Sequence, residues 1–236
     1  MPEEGISYED FWRHQTGRRR AVQKTIDGVA EKLARLAPSD RVLEIGAGTG
    51  HALRHLAEKR PDLRFVGLDN DPKMLTYARR NVGNLAHVEL CLADGRERLP
   101  FADRSFQAVF SEHTFHHMDD LRRTAAEIAR VLVPHGLLVV IDLDRRRPVS
   151  RVFGACYPLL RAAGVRRPIL EAAYISLRRT RPRDELRQLF ADAGFVGSPQ
   201  PGRRMDLIWT LRKTPRVFSE QSFCPVCPSP ATSRPK

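Results

Sequence analysis

No stretch of the 236-residue sequence strings together the roughly 18 apolar residues that a membrane-spanning helix needs. The first twenty residues hold Glu3, Glu4 and Asp10 where a secretory leader would carry an apolar core. Both absences lead us to expect a soluble, cytoplasmic protein. Cysteine is scarce: Cys91, Cys156, Cys224 and Cys227 are too few and too unevenly placed for a disulfide framework, so reduced thiols are expected. Cys224-Pro-Val-Cys227 has the spacing of half a zinc site, but there is no second pair, and no metal site is expected. Lysine is rare as well, 6 residues against 34 arginines, a bias general enough to follow from the base composition of a genome.

What is present suffices for one substantial core, since 42% of the residues are apolar; one main domain with appendages is expected. The net charge of +12 is unevenly spread. Residues 41–144 hold 14 Lys and Arg against 15 Asp and Glu, residues 145–187 hold 12 against 3, and the stretch from Arg203 onward holds 7 against 2. A near-neutral body with a basic insertion and a basic C-terminal region suits a face that meets something anionic.

Hydrophobic periodicity sets the order of elements. Ala21, Val22, Ile26, Val29, Ala30, Leu33 and Leu36 recur at helical intervals over 18–37 before Pro38-Ser39-Asp40 breaks the pattern. Residues 41–45 read as a strand, 51–59 as a helix and 63–68 as a second strand. A second helix follows, with Asp71 as N-cap and Pro72 at its first position, running to about Asn81. Residues 87–92 and 108–111 are two further short strands. Asp119 or Asp120 then caps a helix through Ala125, Ile128 and Leu132 to a stop at Pro134-His135-Gly136, and 137–143 is the most hydrophobic strand. Continuous apolar strands alternating with helices predict an α/β fold with a mostly parallel, doubly wound sheet. Between Asp144 and Thr180 the rhythm stops, and apolar clusters at 152–160 and 169–177 lie among arginines, a length that implies function or short helices. A helix over 182–193 and strands at 195–198 and 206–213 complete the domain. Four prolines after Pro215 and few aliphatic residues predict a disordered tail.

The strongest motif is Val42-Leu43-Glu44-Ile45-Gly46-Ala47-Gly48-Thr49-Gly50, at the turn from the first strand into a helix. Glycines there let the backbone approach a ligand with positive φ, and the helix N-terminus favours negative charge. The spacing is G-x-G-x-G; a dinucleotide-type G-x-G-x-x-G would need glycine at position 51, which is His51. Asp69 ends the second strand 19 residues after Gly50, where a carboxylate can take both hydroxyls of a ribose.

These residues resemble motifs I and II of class I S-adenosylmethionine-dependent methyltransferases. Residues 92–95 (Leu-Ala-Asp-Gly), 99–106 (Leu-Pro-Phe-Ala-Asp-Arg-Ser-Phe) and 130–138 (Arg-Val-Leu-Val-Pro-His-Gly-Leu) are similar to the motifs that follow. The likeness spans about residues 40–145 and is nearest to the small-molecule branch with the ubiquinone and menaquinone C-methyltransferases. One departure is Gln107, where that branch usually has Asp, at a position that supports the start of a strand. The resemblance implies a Rossmann-like, seven-stranded sheet with its last strand antiparallel and S-adenosyl-L-methionine as cofactor. It further implies that Glu44 lies beside the methionine portion, with Gly46, Ala47, Gly48 and Gly50 packed against it. Asp69 would bind the ribose, Asn70 and Met74 would flank the adenine, and Ala93-Asp94-Gly95 would read the adenine edge. Ser111 would close the methionine end. The domain plan is then a helical cap over 1–38, the methyltransferase domain over 39–213 with a candidate substrate lid at 145–180, and a tail over 214–236.

Ser111-Glu112-His113-Thr114-Phe115-His116-His117 falls at the carboxyl edge of the fourth strand, where ligands bind in such sheets. Glu112, His113 and His116 are candidates for a general base. A cluster of this kind is also met as a helix start whose histidines satisfy local hydrogen bonds, and methyl transfer from a sulfonium does not always need a base. Tyr8, Phe11 and Trp12 would suit an aromatic lid or a surface staple. The insertion's mixture of apolar residues and arginines suits a small, lipid-like or anionic acceptor, or an anionic membrane surface. An RNA methyltransferase, a dehydrogenase and a non-catalytic binding protein on the cofactor fold are the alternatives. No RNA-binding module and no Asn/Asp-Pro-Pro-Tyr/Phe motif supports the first, and the glycine spacing argues against the second.

Overall fold

The structure is a computed structural model and describes residues 16–164, 168–202 and 205–215. Tyr8, Phe11, Trp12, Cys224, Cys227 and the expected tail beyond 215 lie outside these residues. In chain order the elements are α1 (Thr16–Lys32) and a 3-10 turn (Leu33–Arg35), β1 (Arg41–Ile45), α2 (His51–Lys59), β2 (Arg64–Asp69), α3 (Pro72–Val82) and β3 (Val88–Leu92). Next come β4 (Phe106–Glu112), a 3-10 turn (Phe115–His117), α4 (Leu121–Val131) and β5 (Leu132–Leu143). The chain continues through α5 (Pro148–Ala162), α6 (Pro168–Arg179), α7 (Arg183–Asp192), β6 (Phe195–Pro201) and β7 (Asp206–Lys213).

The seven strands form one sheet in the order β3-β2-β1-β4-β5-β7-β6. β1 to β5 pair in parallel, and β7 runs antiparallel to both β5 and β6, as the doubly wound reading expects. Successive side chains of a strand face opposite sides, so the sheet separates two cores. Leu43, Ile45, Val66, Val109, Leu138 and Val140 pack with Ile128 of α4 and with Leu189 and Phe190 of α7. Val42, Phe65, Ala108, Phe110 and Val139 pack on the other side with Ile26 and Val29 of α1 and Leu53 and Leu56 of α2. Phe190 stacks edge-on to Trp209 with ring centroids 5.4 Å apart, which ties α7 to β7.

Local chemistry sets the helix starts. Asp71 accepts from the Lys73 N–H at 2.8 Å with Pro72 at the first helical position, and Asp120, not Asp119, caps α4 by accepting from the Arg123 N–H at 3.1 Å. Gln107, the departure noted above, accepts from the Arg41 N–H at 2.8 Å and so braces the start of β1. Two of the boundaries that differ from the sequence reading have a cause in the sheet. α4 stops at Val131, and β5 begins at Leu132, opposite Phe106; the register then jumps to Leu137 opposite Ala108, so Pro134-His135-Gly136 forms an irregularity inside a strand. β6 continues through Pro199 and Pro201 because it is an edge strand, where a missing N–H on the outer side costs nothing. The 145–180 insertion holds two helices, α5 and α6, which pack on each other, and α6 also packs on the Phe115–His117 turn.

Candidate cofactor and acceptor site

Winding changes direction between β1 and β4: β1 pairs with β2 on one side and β4 on the other, and the chain leaves their carboxyl ends into separate loops. Such a point leaves a crevice above the sheet edge. The loop after β1 holds Gly46, Gly48 and Gly50 at φ of 78°, 51° and 75°, a left-handed region that side chains rarely adopt. Gly46 and Ala47 donate to the Leu68 carbonyl at 2.8 and 2.9 Å, which presses the loop onto β2. A Cβ on Gly46 would lie 2.2 Å from Thr114 Oγ1, whereas a Cβ on Gly48 would meet nothing within 4 Å. Gly46 is thus required for packing, and Gly48 borders open space. Gly50 is the N-cap of α2, with no side-chain cap over the first turn's N–H groups.

Three acids lie at or near the carboxyl ends of neighbouring strands. Glu44 is buried, on the α1 and α2 side of β1, and its Oε2 has no hydrogen-bond partner. Burial first, then the Glu112 and Asp69 carboxylates, push its carboxyl well above the ordinary value. Asp69 accepts from the Gly48 N–H at 2.7 Å through Oδ2 and from the Asp71 N–H at 2.9 Å through Oδ1. Asp94 is gripped by the Arg96 guanidinium at 2.6 to 3.1 Å and by the Arg96 N–H at 2.9 Å. The Arg96 hydrogen bond, with a smaller one from Asn70, lowers its pKa to about 2. Asn70 is exposed and Met74 half-buried on the first turn of α3; Ala93 donates to the Asp69 carbonyl at 3.0 Å. Gly95 is buried, and a Cβ there would meet Ile45 at 2.9 Å and Met118 at 3.2 Å.

At the end of β4, Ser111 is fully buried and donates to the Ile45 carbonyl at 2.9 Å, joining β4 to β1. Glu112 lies close enough to raise the Glu44 pKa. His113 has φ of 50° and its Nε2 is 3.5 Å from Asp206 Oδ1, with 31% of the side chain exposed. His116 is only 3% exposed; its Nδ1 is 2.6 Å from Asp142 Oδ1, and its N–H donates to Asp142 Oδ2 at 2.9 Å. Burial opposes the Asp142 charge, yet the hydrogen bond and charge of His116, with His113 and the Leu143 N–H, hold its carboxyl below the ordinary value. Arg96, Thr114, Asp142 and Asp206 escaped the sequence reading. Only Arg96, two residues after Asp94, left a local signal; the others reach the site from 26 to 93 positions away from their partners.

Above this edge α5 and α6 hold Phe153, Tyr157 and Tyr174, with Tyr157 and Tyr174 ring centroids 5.0 Å apart. An open cleft of about 570 Å³ is lined by Tyr157, Pro158, Arg161, Ala162 and Tyr174. Among the described residues no group of three or more His, Cys, Asp or Glu could hold a metal ion. No described helix is long and apolar enough to cross a membrane.

A partnerless oxygen on a buried carboxyl group with two further acids nearby suits a cation, and acids at or just past the ends of β2 and β3 suit the hydroxyls and base of a nucleoside on the same molecule. S-adenosylmethionine carries all three, and the residues present fit it. The comparisons agree. The model of the methyltransferase domain matches residues 43–140. Demethylmenaquinone methyltransferase of Deinococcus radiodurans is 37% identical over 120 residues, covering 50% of this chain and 48% of its own length. O-methyltransferase cnsE of Penicillium expansum is 31% identical over 185 residues, covering 73% of this chain and 60% of its own. The chain thus spans about half the length of the first of these relatives. The fold is shared with a SAM-dependent methyltransferase from Aquifex aeolicus at a TM-score of 0.61 and 19% identity, over 79% of this chain and 88% of that one. Residues 43–140 thus match a methyltransferase domain, and in sequence and fold the chain is similar to S-adenosylmethionine-dependent methyltransferases, whose cofactor the site fits.

Proposed function

We propose that the chain transfers a methyl group from S-adenosylmethionine to a small, lipid-like acceptor held beneath α5 and α6, in the cytoplasm. The observation that carries this reading is the seating of α6 on the Phe115–His117 turn, at the end of β4, with an aromatic cleft between α6 and α5. The names of relatives that act on demethylmenaquinone support an acceptor of this type. The bound cofactor supplies an electrophilic methyl group on a sulfonium leaving group. Glu44 would hold the cofactor's ammonium, and Asp69 its ribose hydroxyls, with the carboxylate aimed by the Gly48 and Asp71 N–H groups. Asn70, Met74 and Ala93-Asp94-Gly95 would enclose the adenine.

Of the two candidate histidines, His113 is the more exposed, and Asp206 stands by its Nε2. It would take the acceptor's proton as the methyl group arrives. His116 is closed off and, with Asp142, braces the turn that supports α6. The helices above would exclude water and orient the acceptor, and orientation alone can supply effective molarities of roughly 10⁵–10⁸ M. Tyr174 is a half-buried part of the cleft wall, so Tyr174→Ala is expected to raise KM for a quinone-type acceptor while leaving S-adenosylhomocysteine affinity unchanged. An unchanged KM would remove the cleft from acceptor binding.

A further inference from the structure

We propose that the outer face of α5 is a docking surface for an anionic lipid bilayer, an inference that rests on the lipid-like acceptor proposed above. Val149, Val152, Cys156, Leu159, Leu160 and Ala163 are all exposed, at spacings of three and four residues. At 100° per residue they fill an arc about 100° wide beside the inner face formed by buried Ser150 and Tyr157 and half-buried Phe153. Val152 and Leu159 are 63% and 72% exposed, and Ile175 of the adjoining α6 is also exposed. An apolar stripe of this length is not an isolated surface residue and calls for a partner.

Charge selects that partner. α5 contains no Asp or Glu anywhere in Pro148–Ala162. On α5, on the segment before it and at the end of α6, Arg151, Arg145, Arg178 and Arg179 are exposed and make no ion pair among the described residues, whereas Arg146 and Arg161 pair with Asp184 and Glu171. A second copy would set like charge against like charge across the stripe. RNA would meet the arginines and has no use for the valines and leucines. A bilayer with anionic headgroups answers both: the stripe enters the acyl boundary, and the arginines reach the headgroups on their apolar stems. Tyr157 and Pro158 of the same helix line the aromatic cleft, so a lipid-like acceptor would pass from bilayer to site with little crossing of water.

The test is co-sedimentation of the full chain with phosphatidylcholine vesicles, alone or with about 30% phosphatidylglycerol, at about 0.05 and 0.5 M salt. Binding to the anionic vesicles only, weakened by salt and reduced at least about tenfold in Val152→Asp/Leu159→Asp, is expected. These side chains face solvent, so the variant should keep its melting temperature and S-adenosylhomocysteine affinity, which shows that it is folded. Absent binding, equal binding to neutral vesicles, or unaltered binding by the variant would overturn the proposal. So would a wild-type dimer that the variant dissolves, since the stripe would then belong to a second copy. Methylation of a detergent-dispersed quinone-type acceptor, measured alongside, separates the two readings: its loss in the wild type counts against methyl transfer, and its persistence without vesicle binding counts against docking alone.

Discussion

Gly48 donates its N–H to Asp69 Oδ2 at 2.7 Å, so the loop that opens α2 and the acid that ends β2 are held together although 21 positions separate them. This bond fixes one oxygen of a carboxylate whose other oxygen accepts from Asp71, and it aims the group at the crevice. Asp69→Ala is therefore expected to weaken S-adenosylhomocysteine binding at least about tenfold, because charge-assisted hydrogen bonds contribute roughly 1.5–3 kcal/mol each. Calorimetry on both proteins decides it, and equal affinities would exclude Asp69 from the cofactor site.

The glycines of the loop should separate packing from binding. Gly46→Ala would drive a methyl group into Thr114, with a stability loss of about 1–3 kcal/mol, and Thr114→Ser in the same chain should not recover it because Oγ1 remains. Gly48→Ala carries only the positive-φ strain, roughly 1–2 kcal/mol, while its methyl group enters the open space where the cofactor is expected. Melting curves and binding isotherms should rank the two oppositely: Gly46→Ala the less stable, Gly48→Ala the larger loss of affinity per unit of stability lost.

Glu44 is expected to couple cofactor binding to pH. The unfolded chain gives up this proton in the ordinary carboxylate range, whereas the folded chain keeps it to a higher pH. Its contribution to stability is thus present at acid pH and falls as pH rises from the unfolded value through the folded one. An ammonium beside Glu44 favours the charged form, so cofactor binding should release a proton and strengthen with rising pH across that window. Glu44→Gln is expected to flatten this dependence, weaken binding at least about tenfold, and raise the melting temperature of the free protein near neutrality. Calorimetric proton release that is the same in both proteins would contradict the assignment.

His113 and His116 should part company in the same way. His113→Asn keeps a residue that tolerates the left-handed backbone, so stability should hold while the rate falls about 10²–10⁴-fold. Breaking the buried pair with Asp142→Asn is expected to cost about 3–5 kcal/mol. The Asp142 contribution is present above its unfolded pKa and is lost as pH falls through its depressed folded value, so the parent should lose the pair's stability in acid and the variant should not. A rate unaffected by His113→Asn would leave methyl transfer to positioning alone.

The sheet and the glycine loop were legible in the sequence because their signals are local. Apolar runs mark β1 to β5, Asp71-Pro72 marks the start of α3, and a positive-φ turn needs its glycines within a few residues. The β6 prolines misled for the opposite reason: tolerance of Pro199 and Pro201 depends on an edge position that only the finished sheet defines. Asp142 could not be assigned to His116, nor Asp206 to His113, because both partners arrive through the pairing of β4, β5 and β7. The 145–180 stretch showed its charge and apolar clusters, but the outward turn of Val152 and Leu159 follows from α6 occupying the other face of α5.

The most direct measurement is to incubate the protein with methyl-labelled S-adenosylmethionine and vesicles carrying a demethylated quinone, and then to partition the label. Label in the organic phase, lost in Asp69→Ala and reduced in His113→Asn, is the expected result. Label found only in added RNA, or no transfer while S-adenosylhomocysteine binds tightly, would contradict methyl transfer to a lipid-like acceptor.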